Sequence, residues 1–321
     1  MINFRFHLVS LVAVFLALTV GIVMGATVID RAIVDGLNDR IDAVSRKADE
    51  RKKESELLAA DVGRLNEFIG QSQPFVVEGR LTDVPVVVIA TRGIDADAVT
   101  KQVDVLRAAG AVVPAVVWLQ SSWVLGDKST TDKLGEALGE TSREATTLRD
   151  AAWKALAQRL HDGQATAEIT TPSAANPPFS DALAALVSAG FVQLDPVGDV
   201  QLDEATFPGR NPRAVLLSGS GFAPGNLLRS GAKALAGVGI PTVVGEVFAD
   251  KPTKAGRGQV LAPIRTGDAI AGVSTVDDVE LPEGRMAVAL AGSDLGRTPP
   301  VSGHYGYGDG ATRALPIFKP S

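Results

Sequence analysis

Val84–Thr91 reads VPVVVIAT. The run is short, uncharged and β-branched, with no polar alternation, which is the composition of a strand buried on both faces. Immediately downstream the period becomes helical. Val99, Val103, Leu106 and Ala109 share one side of Ala96–Ala109, and Gly110 follows as a stop. Ala111–Leu119 is a second apolar run of strand length. Strand, helix and strand in that order predict a right-handed crossover in a parallel sheet, because a right-twisted strand feeding a helix packs back onto the sheet only that way.

The pattern continues with interruptions. Thr130–Leu138 and Ser142–Leu160 read as amphipathic helices, the second carrying Leu148, Ala152, Leu156 and Leu160. Thr170–Pro178 is a Pro/Asn/Ser-rich loop, and Ser180 is placed to cap a short helix over Ala182–Ala189 before a weak strand near Val192. Alternation then resumes: strands at Ala214–Ser218, Pro241–Gly245 and Val273–Val276, helices at Pro224–Leu235 and Glu283–Leu290. The expected fold is α/β, a doubly wound Rossmann-like parallel sheet with a helical insertion.

Upstream of Val84 the chain changes character. Gly70-Gln-Ser-Gln-Pro74 reads as a helix stop, and before it a heptad register fits Val34–Ile69. The a positions are Val34, Ile41, Ala48, Ser55, Val62 and Ile69; the d positions are Leu37, Val44, Arg51, Leu58 and Leu65. Nine of these eleven are apolar, and branched residues at a with leucine at d favour a parallel pair of helices. The expected dimer seam is Val34, Leu37, Ile41, Val44, Leu58, Val62, Leu65 and Ile69, weakened where Arg51 and Ser55 interrupt it. The competing readings are an amphipathic helix packed on its own domain and a monomeric solvated helix rich in Lys and Glu.

Further upstream, Leu8–Ile29 (LVSLVAVFLALTVGIVMGATVI) holds no charge. As a helix it rises about 33 Å, enough to cross a hydrocarbon core of about 30 Å. Gly21 and Gly25 form a GxxxG face. A cleaved leader would show a shorter apolar core and a break after it, whereas the helical pattern here runs past Asp30 without turn residues. The expected organisation is a transmembrane anchor over 1–29, a coiled-coil stalk over 30–73 and an α/β domain over 74–321. Flanking charge is nearly balanced, with Arg5 on one side and Arg31 and Arg40 on the other, so it does not fix orientation.

Composition removes several function classes. A net charge of −6 argues against a nucleic-acid partner. With no cysteine there is neither disulfide nor thiolate, and the only other soft or borderline donors are His7, His161, His304, Met1, Met24 and Met286, scattered along the chain. No GxSxG, HExxH or kinase-like set occurs, and no nucleophile–base pair stands out, so the chain reads as non-enzymatic with no cofactor.

Three stretches remain as candidate sites. Ser218–Gly225 (SGSGFAPG) lies between a strand and a helix, where glycines let amides approach an anion, or where Ser220 simply caps a tight turn. Asp277 and Asp278 directly follow a strand, at the edge where open α/β sheets bind ligands, and they serve either as an acid pair or as a turn. Gly303-His-Tyr-Gly-Tyr-Gly308 is a glycine-rich loop suited to a ligand or partner through Gly303, His304, Tyr305 and Gly306, with His304 its one metal donor. The other reading is a segment packed on the domain edge through its rings.

The opening Met1–Leu18 (MINFRFHLVSLVAVFLAL), Ser274-Thr-Val-Asp-Asp278 with Pro282-Glu-Gly-Arg285 and the helix after it, and Gly303-His-Tyr-Gly306 together resemble the actinobacterial MctB family over most of the chain. Members of that family are described as copper-transport proteins. The SteB-like cell-separation proteins are similar in layout: one anchor, a coiled coil, and an extracytoplasmic domain that meets a peptidoglycan hydrolase. The resemblance implies a cell-membrane protein with its domain outside, and makes copper a possible ligand. Copper, however, favours thiolates, thioethers or clustered imidazoles, which this sequence lacks. The residues therefore favour a dimeric scaffold engaging a septal or cell-wall hydrolase, with a copper-transport component as the alternative.

Overall fold

The computed structural model describes residues 4–162, 181–198, 202, 207–221, 226–248 and 256–317, with backbone alone over 26–33. The chain divides into two compact units, Met1–Leu65 and Asn66–Ser321.

The first unit is helical. Helix α1 spans Phe4–Val77, so it runs through the expected stop and carries Pro74 inside its last turn. Proline has no N–H to give to the preceding turn, and the helix ends within one turn of it. The carbonyl of Pro74 still accepts from the Glu78 N–H at 2.9 Å. Phe4–Gly25 is long and apolar enough to cross a membrane, and Thr19 Oγ1 bonds back to the Phe15 carbonyl at 2.6 Å, which satisfies its hydroxyl inside the span.

The second unit begins inside α1. It continues through β1 (Val86–Thr91), α2 (Ala96–Ala108), β2 (Ala115–Leu119) and a 3-10 turn (Ser121–Val124). Next come α3 (Lys128–Leu138), α4 (Ala145–His161), α5 (Ala182–Ser188), β3 (Val192–Pro196), β4 (Arg213–Ser218) and α6 (Leu227–Gly237). The last elements are β5 (Thr242–Glu246), α7 (Ala262–Arg265), β6 (Val273–Val276), α8 (Pro282–Asp294) and β7 (His304–Tyr305). Seven strands form one sheet in the order β3-β2-β1-β4-β5-β6-β7. All neighbours are parallel except β2 and β3, where Val117 faces Leu194 antiparallel.

The expectation of a wholly parallel sheet therefore fails at β3. Only Val192 of that strand is buried, and an edge strand with a wet face is free of the double burial that parallel crossovers impose. The central strands do carry it, β1, β2 and β5 being buried at every position. Val87, Ile89, Val117, Leu119 and Leu216 meet α4, α5 and α6 on one face, while Val86, Val88, Ala90, Val215 and Leu217 meet α2 and α8 on the other.

Local corrections follow from capping. Asp181, not Ser180, caps α5, its carboxylate accepting the Leu183 N–H at 2.8 Å; Ser180 and the loop 170–178 lie outside the described residues. Helix α6 is described from Leu227 to Gly237, and the expected start at Pro224 lies outside the described residues. The two helices of the insertion, α3 and α4, form near the expected limits, and α4 buries Trp153 against Trp123 at 5.1 Å between ring centroids.

Candidate functional site

The carboxyl ends of β5, β6 and β7 collect most of the buried charge among the described residues. Glu246 ends β5, Asp277 and Asp278 directly follow β6, and Glu280 comes just after. An acid at the end of an apolar strand is carried to the sheet edge, where only a partner brought in by another segment can neutralise it. Two segments do this, 256–265 with α7 and 304–309 with β7.

Asp277 is fully buried. Its carboxylate accepts the Tyr307 N–H at 2.7 Å and the Gly308 N–H at 3.1 Å, and pairs with Arg265 Nη2 at 2.9 Å. Arg265, equally buried, donates Nε to Thr275 Oγ1 at 2.9 Å, Nη2 to the Tyr305 carbonyl at 2.8 Å and Nη1 to the Asp309 carbonyl at 2.9 Å. Gly306 is held at φ +115° with Asp277 where a Cβ would be. Asp278 turns the other way, at φ +60°, and meets Arg257 as a charge pair rather than through an aligned hydrogen bond. Arg257 also reaches Glu280 at 2.7 Å and lies over the Phe248 ring at 4.5 Å. Glu246 accepts the N–H groups of Gly258 and Val260, and burial pushes its carboxyl above the usual range despite them.

His304 stands beside this network. Thr275 Oγ1 receives Arg265 Nε and lies 2.9 Å from His304 Nδ1, a contact in which either atom can be the donor. Burial, then the nearby charge of Arg265, lowers the His304 pKa. That guanidinium also opposes a metal cation at the ring. His161 lies elsewhere, at the amino ends of β4 and β5, where it lines a cavity of about 510 Å³ with Arg213 and pairs with Asp162 at 2.9 Å. Among the described residues no group of three or more His, Asp or Glu is arranged to hold a metal ion. The donor set does not fit copper.

The structure thus brings Asp277 together with the Gly303–Gly308 loop and separates Asp278 from both. The loop is not wholly irregular, since His304 and Tyr305 form β7 against Thr275 and Val276. Its role in these contacts is to satisfy Asp277. Sequence reasoning missed Glu246, Arg257 and Arg265. Glu246 carried the same signal as Asp277, a charge closing a buried strand, whereas the arginines sit in segments with no periodicity. At the first candidate, Ser218 is buried and shares a hydrogen bond of 2.8 Å with Thr91 across the strands; residues 222–225 lie outside the described part.

Along α1, Val34, Leu37, Ile41, Val44, Leu58, Val62 and Leu65 are each more than half exposed. Ile69, the last expected seam residue, is instead half-buried against the α/β core, so its face is already used.

An apolar N-terminal helix, the one candidate membrane segment among the described residues, and an α/β domain built on a mostly parallel seven-stranded sheet define a class of proteins, those that join a folded domain to such a segment. The family described as copper transport outer membrane protein, MctB, matches residues 1–316, and the chain belongs to it. The chain is similar to the copper transporter MctB of Mycobacterium bovis and to that of Mycobacterium tuberculosis. Each is 28% identical over 323 aligned residues, covering 97% of this chain and 98% of the relative. The family carries the name of a transport protein, not of an enzyme.

Proposed function

We propose that the chain is a non-enzymatic, single-pass envelope protein of copper homeostasis whose contribution is architectural. In this reading α1 anchors it, pairs with a second α1 as a parallel coiled coil over 34–65, and presents a doubly wound α/β domain outside the cytoplasmic membrane. The observation that carries the architectural part is the row of seven exposed apolar residues from Val34 to Leu65 at a and d spacing. Copper enters from the names of the relatives, and it is read here as cargo of the system, since among the described residues no cluster of ligating side chains gathers to hold it. A second reading, a scaffold for a septal or cell-wall hydrolase in cell separation, rests on the same unpartnered seam.

The test is deletion of the gene in its native host, with cell-associated copper measured by mass spectrometry. Copper should rise, return to normal with the wild type and with His304→Ala, and stay high with Leu58→Asp/Leu65→Asp. Unchanged copper with cells that fail to separate would transfer the conclusion to the second reading. Loss of rescue by His304→Ala would sink the claim that the chain holds no copper site.

A further inference from the structure

We propose that the cavity at the amino ends of β4 and β5 is a binding site for a small organic anion, a carboxylate or a phosphate monoester, held by Arg213. The inference is independent of the dimer and copper readings, because every residue it uses lies within the α/β unit.

At about 510 Å³ the cavity has the size that takes a small ligand. It lies at the sheet edge opposite to the acids that follow β5 and β6. Pro212, Ile240 and Pro241 give it an apolar wall, while Arg213, His161 and Asp162 supply charged and polar groups.

Arg213 opens β4. Strand alternation puts its side chain on the face of Val215 and Leu217, which is the face covered by α8. There Nη1 donates to the Gly292 carbonyl at 2.6 Å, in the last turn of that helix. Gly296 makes room for the guanidinium, since a Cβ there would collide with Nη2. One reading of Arg213 is therefore a cap on the negative end of α8. That role uses one of five N–H groups, and a helix end offers only about half a charge against a full one. The other N–H groups have no acceptor among the described residues, and no carboxylate there forms an ion pair with them. Burial lowers the Arg213 pKa, with no acid acting against it. Arg285 is the contrast: burial acts on it as well, but Glu283, Asp97 and Glu280 oppose the effect.

Asp162, the acid in the cavity wall, does not supply the missing charge. Its carboxylate accepts Gln158 Nε2 at 2.7 Å and pairs with His161 Nδ1 at 2.9 Å. A guanidinium with spare coplanar donors is matched by a carboxylate or phosphate, which takes two parallel N–H groups at once. A bare inorganic ion would leave most of the volume to water, whereas an anion with a small apolar body also covers Ile240 and the two prolines.

The full chain, purified in mild detergent, is titrated calorimetrically with phenyl phosphate and separately with benzoate, at an ionic strength matched with sodium chloride. The expected result is saturable binding of at least one probe, and the better of the two tells the phosphate source from the carboxylate source. Arg213→Gln should weaken that binding about tenfold or more. Asp162→Asn removes a like charge from the wall and should tighten it about twofold to fivefold, a gain that a misfolded variant could not imitate. Failure of both probes to saturate, or unchanged affinity in a folded Arg213→Gln, would overturn the proposal. So would uncharged benzamide binding as tightly as benzoate, because the arginine would then not select the ligand. If Arg213→Gln does not fold, Asp162→Asn decides alone, and equal or weaker binding in it sinks the anion site.

Discussion

Gly306 shows how much one residue type can decide. Its φ of +115° lies where side chains are rarely tolerated, and a Cβ would press on the Asp277 carboxylate. Gly306→Ala should cost about 1–3 kcal/mol and lower the melting temperature accordingly. An unchanged melting curve would mean the loop does not hold Asp277 as described. His304 gives a pH-dependent counterpart. Its folded pKa is depressed, so the unfolded chain takes up the proton first, and the stability it contributes is present above the ordinary histidine pKa and lost as pH falls through the folded value. Between pH 7 and 5 the wild type should lose more stability in urea than His304→Gln; equal losses would contradict the burial of a neutral ring. Of the four acids here, Asp277 and Asp278 were legible before the fold because the pair directly follows a strand. Their arginines were not, since Arg257 and Arg265 become neighbours of Asp277 and Asp278 only through loop closure, which leaves no periodic trace.

Among the elements, the buried strands were the easiest to read and the helix ends the hardest. VPVVVIAT could only be a doubly covered strand, and β1 runs over Val86–Thr91. Pro74 misplaced the boundary only slightly, because the helix runs on past the proline and ends within one turn of it, at Val77. The direction of β3 was hidden for a different reason, a short edge strand having too little hydrophobic pattern to specify its sense. Packing between α4 and α6 offers a direct test. A Cβ on Gly231 would come within 2.7 Å of the Trp153 ring, whose indole is fully buried. Gly231→Ala should destabilise the domain by about 1–3 kcal/mol and shift its tryptophan emission, since the ring must give way. If neither changes, the two helices are not in contact through that glycine.

For the molecule as a whole, the candidate span predicts partition. The full chain should stay with membranes after alkaline carbonate extraction, and a variant lacking Phe4–Gly25 should move to the soluble fraction. Retention of the shortened variant would show that other surfaces hold it there. The α/β class and the apolar N-terminal helix were readable because both depend on long apolar runs; the site was not, because it is assembled from four separate segments. One arrangement has a consequence for how such a chain matures. Asp277 obtains its amide donors from Tyr307 and Gly308, thirty or more residues later in the chain. Until those residues have emerged on the same side as the sheet, a carboxylate at the centre of the half-built domain lacks its backbone partners. A polypeptide delivered N-terminus first would therefore spend the end of its translocation unfinished and open to proteolysis, and a nonsense codon before Gly306 would be expected to yield degradation rather than a shortened working protein.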